Sequence, residues 1–142
     1  MANNAPVEVL LIEDDEGDAR LVQEAFEQDP SRRVNLVLKH NGAEALDYLR
    51  AEKGGRPAIM ILDLNLPKYD GRQFLREVKQ DPKLNSIPVI VFTTSNAENE
   101  IVEAYAARAN CYVCKPMNLQ GFLAAIQKIG DFWLSVTKLP PR

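Results

Sequence analysis

The sequence predicts an α/β domain, (βα) repeated five times, built as a doubly wound parallel sheet with helices on both faces. Three observations predict it. Four short apolar runs are continuous rather than alternating, as strands covered on both faces are. The segments between them carry the spacing of amphipathic helices. The connections are short, so strand and helix alternate along the whole chain with no room for separate layers of either kind.

Taken in order, "VEVLLI" (7–12) is the first strand and "DARLVQEAFEQ" (18–28) the first helix. "RVNLVLKH" (33–40) alternates, as a less covered edge strand does, and "GAEALDYLRAE" (42–52) is helical. "EKGGRP" (52–57) reads as a turn before the third strand, "AIMILDL" (58–64), and "GRQFLREVKQD" (71–81) as the helix after it. "PVIVFTT" (88–94) and "CYVCK" (111–115) are the fourth and fifth strands, with "ENEIVEAYAARA" between them. In "LQGFLAAIQKIGDFWL", Phe122, Ile126, Ile129 and Trp133 recur at the interval of one helix face.

With 142 residues, 46% hydrophobic and 26% charged, the chain has the size and balance of one domain whose core stands unaided. No run approaches the roughly 20 apolar residues of a membrane span, and "MANNAPVEVLLIEDD" lacks the basic flank and apolar stretch of a secretory leader. The cytoplasm is the expected location. A net charge of −3 argues against a nucleic-acid surface. Cys111 and Cys114 lie three apart, which turns them to opposite faces if the segment is a strand and argues against a disulfide between them. A reactive C-x-x-C belongs at a helix N-terminus instead.

In an open parallel sheet, ligands bind beyond the carboxyl ends of the strands. There the sequence places Glu13, Asp14 and Asp15 after strand one, Asp63 after strand three, Thr93 at the end of strand four and Lys115 at the end of strand five. Each alone has an ordinary use: Asp15 or Asp18 can cap the first helix, and a lysine before proline can be a loop charge. Their convergence on one edge is what calls for an account. Glu13, Asp14 and Asp63 repel one another unless cations compensate, and an oxygen-only, water-accessible set suits Mg²⁺. Mg²⁺ with Lys115 balances the three negative charges and leaves space for a phosphoryl group. No His or Cys cluster points to zinc, His40 being the sole histidine.

"LLIEDD", "ILDLNLPKYDG", "VIVFTT" and "CYVCKP" together resemble the receiver domain of bacterial two-component response regulators, over about residues 7 to 130. The resemblance implies the flavodoxin-like receiver fold with strand order 2-1-3-4-5. It implies that Asp63 accepts a phosphoryl group from a sensor histidine kinase. Asp14 would ligate Mg²⁺ directly, Glu13 through water, and the backbone carbonyl of Asn65 would add a ligand. Lys115 would pair with the phosphoryl oxygens, and Pro116 is often reached through a cis bond. Thr93 would donate its hydroxyl to the acyl phosphate and Tyr112 would turn inward as the second switch residue. Asn65 and Ser95 flank the expected path of the hydrolytic water. One departure is Arg108, where many receivers carry a glycine with positive φ; a different cap or mild strain follows.

Residues 1–130 account for the receiver, leaving 131–142 as an extension of the last helix and a tail. Output is therefore expected through contact with another protein. "TTSNAENEI", "ANCYV" and "FWL" resemble single-domain regulators that partner bacterial phytochromes, which implies a homodimer using Phe132, Trp133 and Leu134. The alternative for the tail is that it folds over its own core. The chain is read as a stoichiometric phosphoacceptor rather than an enzyme. An aspartyl-nucleophile phosphatase would want a second acid where Asn65 stands, and a nucleotide site would need a glycine-rich loop after strand one. A pseudo-receiver would have lost one of the acids, Thr93 or Lys115.

Overall fold

The computed structural model describes residues 5–51, 56–66 and 71–141. Its elements run β1 (Val7–Ile12), α1 (Glu16–Glu27), β2 (Val34–Lys39), α2 (Gly42–Arg50), β3 (Ile59–Leu62), α3 (Gly71–Gln80), β4 (Val89–Thr93), α4 (Glu98–Ala106), β5 (Cys111–Cys114) and α5 (Leu119–Asp131). A π-helical turn, Phe132–Val136, follows α5. All neighbouring strands pair in parallel, in the order β2-β1-β3-β4-β5. The chain winds outward in both directions from β1 and β3, and a crevice opens at that reversal.

Alternation along the strands decides which helix layer each residue meets. Leu10, Ile12, Met60, Leu62, Val89 and Val91 face one way and pack with Ala45 and Leu46 of α2, Phe74, Leu75 and Val78 of α3, and Ala104 of α4. Val9, Leu11, Ile59, Ile61, Ile90 and Phe92 face the other way, against Ala19, Val22 and Phe26 of α1 and Phe122, Ile126 and Ile129 of α5. Each large apolar side chain so buried is worth roughly 1.5–3 kcal/mol, which is why continuous rather than alternating hydrophobicity specifies a two-sided sheet.

The expected strands are all present, those after β1 ending a residue or two inside their sequence bounds. The last helix stops at Asp131 rather than running to 134, because its final residues widen into the π-helical turn. The peptide bond before Pro116 is trans, as are all those described, against the cis bond the resemblance implied. Most of the expected "EKGGRP" turn lies outside the described residues, as do residues 67–70 of the "LPKYDG" segment. Gly71, which closes that segment, is required by close approach: a Cβ there would lie 2.5 Å from the Asp63 carbonyl oxygen and 2.7 Å from the Leu64 Cα.

Two further contacts fix the periphery. At the edge away from the strands' carboxyl ends, the buried Lys79 donates to the carbonyls of Asn85 and Ile87 and to Asn110 Oδ1, which also accepts from the Val89 amide. Beside it, Arg108 keeps the left-handed conformation, φ 75°, so the turn into β5 retains a glycine-like shape with an arginine in it. At the chain's other end, the Arg32 guanidinium pairs with Asp29 and Asp131 and donates to the Gly130 carbonyl and Ser135 Oγ. Among the described residues no helix is long and apolar enough to cross a membrane.

Candidate functional site

The sheet register assembles the site. Ile12 pairs with Leu62, so the next residues, Glu13 and Asp63, emerge side by side, and the Asp63 amide donates to the Ile12 carbonyl at 3.1 Å. Thr93 pairs with Cys114, and the Lys115 amide donates to the Thr93 carbonyl at 2.7 Å. Parallel strands cut off at one level therefore deliver an acid, an acid, a hydroxyl and an ammonium to one crevice. Asp15 caps α1, accepting from the Asp18 amide at 2.9 Å, as one of the two capping readings required.

Asp63 is the centre of the arrangement. Its Oδ1 accepts from the Thr93 hydroxyl at 2.8 Å and from the Asn65 amide at 3.0 Å, and its Oδ2 accepts from Lys115 Nζ at 2.8 Å. The Asn65 side-chain amide in turn donates to Thr93 Oγ1 at 3.2 Å, which aims the threonine proton at the carboxylate. Thr93 is fully buried, so no water competes for its hydroxyl. Lys115 also reaches Glu13 at 2.6 Å and Asp18 at 2.8 Å. Three carboxylates on one ammonium are more than the sequence indicated, since Asp18 was legible there only as a cap.

Burial raises the Glu13 carboxyl to about 7, against the opposing pull of Lys115 and with Asp63 adding to the rise. Burial also works to raise Asp63, but hydrogen bonds from Lys115, the Asn65 amide and Thr93 outweigh it and hold the carboxyl below its ordinary value. Desolvation alone would depress Lys115; the hydrogen bonds it donates to Asp18, Asp63 and Glu13 reverse that and raise it. Asp63 is thus an anion at neutral pH and Lys115 a cation. Oxygens of Glu13, Asp14 and Asp63 lie within 4.8 Å of one another, Asp14 exposed and the other two buried. A hard divalent cation fits this all-oxygen set, and it would offset both the burial that raises Glu13 and the smaller repulsion from Asp63.

The rim links the crevice to α4 and β5. Ser95 Oγ and Arg72 both bond Glu100 on α4. The Tyr112 hydroxyl donates to the Ser95 carbonyl at 2.8 Å, and Cys114 Sγ lies 3.5 Å from the same oxygen. Tyr112 is half-buried in this position, and its amide donates to the Tyr105 hydroxyl at 3.1 Å. Glu100 and Arg72 carried no sequence signal, because they meet only through the juxtaposition of α3 and α4. Cys111 and Cys114 are free thiols, the first packed toward α5 and the second exposed.

Phe132, Trp133 and Leu134 lie far along the chain from this edge. Trp133 and Leu134 are half-buried against the chain's own α1/α5 core, as is Leu139, while Phe132 and Val136 are exposed. Phe132 stands edge-on to Trp133 with ring centroids 5.3 Å apart. The tail thus folds back in large part, and it still presents apolar surface.

Comparison with known proteins matches the geometry. The response regulator receiver domain profile covers residues 9–127. Response regulator Rcp1 of Synechocystis is 40% identical over 97% of this chain and 96% of its own length. The probable methanogenesis regulatory protein FilR2 of Methanothrix harundinacea is 35% identical over 95% of this chain and 88% of its own. Among solved structures, the phosphorylated cyanobacterial phytochrome response regulator RcpA superposes with a TM-score of 0.91 at 41% identity, covering 96% of this chain and all of that one. The Mn²⁺-bound form of Rcp1 gives 0.90 at 40%, with the same coverage. With five parallel strands in the order 2-1-3-4-5 and two acids, a threonine and a lysine gathered around Asp63, the chain belongs to the response regulator receiver domain family and is related to the phytochrome response regulators.

Proposed function

We propose that the chain is a stand-alone phosphoacceptor switch in which Asp63 takes a phosphoryl group from the phosphohistidine of a sensor histidine kinase. An Asp63 oxygen forms the new bond to phosphorus as the bond to the imidazole nitrogen breaks, and the acyl phosphate is the signal. Asp63 is consumed once per transfer and restored by water, so the protein acts as a stoichiometric acceptor. The observation that carries this reading is the environment of the Asp63 carboxylate. It is kept ionised by Lys115, the Asn65 amide and Thr93, with Glu13 and Asp14 close enough to share a cation with it.

Glu13, Asp14, Asp63 and the Asn65 backbone carbonyl would hold Mg²⁺, which when bound supplies positive charge to the equatorial oxygens of the transferring group. Lys115 neutralises a second oxygen. Thr93 moves its proton from Asp63 Oδ1 to a phosphoryl oxygen, and this draws the end of β4 toward the site. Because the Ser95 carbonyl holds Tyr112, that displacement reaches the β5 surface. Asn65 and Ser95 border the approach of the hydrolytic water.

A bacterial phytochrome is the favoured kind of kinase, on the strength of the relatives' names. Exposed Phe132 and Val136 support a homodimer through the 131–142 extension, with Trp133 and Leu134 beneath as its base. The cytoplasm is the compartment in which such a kinase would meet it.

Incubation with acetyl phosphate and Mg²⁺ tests the central claim. The wild type should gain one phosphoryl mass, Mg²⁺ removal should prevent this, and Asp63→Asn should abolish it. A wild type that stays unlabelled would leave a receiver fold without its chemistry, and steady release of many phosphates would indicate a phosphatase.

A further inference from the structure

An ammonium has three N–H donors and no fourth. In Lys115 all three are committed, one each to Glu13 Oε1 at 2.6 Å, Asp63 Oδ2 at 2.8 Å and Asp18 Oδ2 at 2.8 Å. Glu13 and Asp63 belong to the strand ends and have duties of their own. Asp18 comes from the first turn of α1, where Asp15 already serves as the cap, and its carboxylate has no backbone to satisfy. Neither holding a cation nor attacking phosphorus requires it.

We propose that Asp18 is a positioning residue that competes with the incoming phosphoryl group for Lys115, and so sets how readily Asp63 is phosphorylated. The proposal rests on the phosphoacceptor reading above. A phosphoryl oxygen that pairs with Lys115 must displace one of three carboxylates. The side chains of Glu13 and Asp63 are 2% and 8% exposed, so an uncompensated charge left on either is costly. That of Asp18 is 29% exposed, and water replaces the ammonium when it leaves. The bond to Asp18 is therefore the one given up.

The timing of that loss fixes the kinetic signature. The bond stabilises the unphosphorylated protein but is absent from both the transition state and the acyl phosphate. Its removal brings the free protein closer to the transition state and accelerates transfer. Hydrolysis starts from the acyl phosphate, in which Asp18 has already let go, and its rate does not respond. A residue that merely supported the fold would disturb both rates together.

The experiment uses the full chain at saturating Mg²⁺, so that a change in metal affinity does not enter. Labelling by acetyl phosphate is followed by mass, and loss of the phosphoryl group is followed after the donor is removed. Asp18→Asn should label roughly two- to fivefold faster, the range of an exposed ion pair, with an unchanged rate of loss. Asp18→Glu, which restores a carboxylate, should return the labelling rate toward wild type. Glu16→Gln takes the same charge from the same acidic rim without touching Lys115, and should label at the wild-type rate. The proposal fails if Asp18→Asn labels no faster, if Glu16→Gln accelerates as much, or if loss changes in step with labelling. An unlabelled wild type overturns the phosphoacceptor reading and this one with it, whereas a labelled wild type with an unaccelerated Asp18→Asn overturns this one alone.

Discussion

Among the described residues two lysines are buried, one at each end of the parallel strands, and their surroundings are opposites. Lys115 meets three carboxylates, which raise its proton affinity above the ordinary value despite burial. Lys79 meets two backbone carbonyls and the side-chain oxygen of Asn110, all neutral, and burial lowers its proton affinity. Lys79 is a staple: its three donors tie the end of α3 to the approach to β4 and the turn into β5. Lys115 is a counter-charge, and the acids around it crowd more closely than they would alone. Equal burial thus serves different ends, and the acceptors decide which.

Removing the staple should produce the largest effect. Lys79→Ala leaves the buried Ile87 carbonyl without this donor, takes one bond each from the Asn85 carbonyl and Asn110 Oδ1, and removes the buried aliphatic stem of the lysine. A loss of about 3 kcal/mol is expected from unsatisfied groups of this kind, measured by urea unfolding. Asp63 labelling per folded molecule should stay intact, because the staple lies at the far edge. Defective labelling in the folded fraction would erase the distinction between the two lysines.

Next comes pH, which sharpens the counter-charge side. Glu13 titrates near 7 in the fold against 4.5 ordinarily, so between those values the folded state binds more protons than the unfolded one. The metal-free protein should therefore gain stability as pH falls from about 8 toward 5, and lose it as pH rises through 7. Asp63, held low, works in the other direction and only at more acidic pH, where its protonation removes its bonds to Lys115 and Thr93. A cation must displace the Glu13 proton below 7. Mg²⁺ affinity by calorimetry should weaken about tenfold per pH unit there and level off above it. A flat profile from pH 5 to 8 would show that Glu13 is already ionised and that Lys115 overcomes its burial.

The smallest change is expected at Arg108. A non-glycine residue at φ 75° carries about 1 kcal/mol of strain, which Arg108→Gly would relieve while adding flexibility to the unfolded chain. The thermal midpoint should rise slightly or hold. A fall would mean that the guanidinium makes contacts worth more than the strain.

Much of this was legible in the sequence, for reasons of period. Continuous apolar runs set the sheet, short connections made it parallel, and parallel strands placed their terminal residues together, so Glu13, Asp63, Thr93 and Lys115 could be gathered without a structure. Arg108 was also readable, since a turn that wants positive φ leaves a mark when its glycine is missing. What escaped was whatever depends on helix phase against a distant element. Asp18 sits where a cap is plausible, and only the rotation of α1 against β5, 97 residues later, turns its carboxylate to Lys115. Glu100 bridging Arg72 and Ser95 is of the same kind. The π-helical turn after Asp131 had no signature, because Phe132, Trp133 and Leu134 continue the apolar periodicity while the backbone ladder changes beneath them.

The guanidinium of Arg32 has a consequence for the polymer as a whole. By gripping both Asp29 and Asp131 it draws together points about a hundred residues apart, near the start and the finish of the fold. Chain termini ordinarily fray first. Here the closing segment is fastened to the opening one like a buckle on a strap, so undoing the last turn also means loosening the loop that leads into the edge strand.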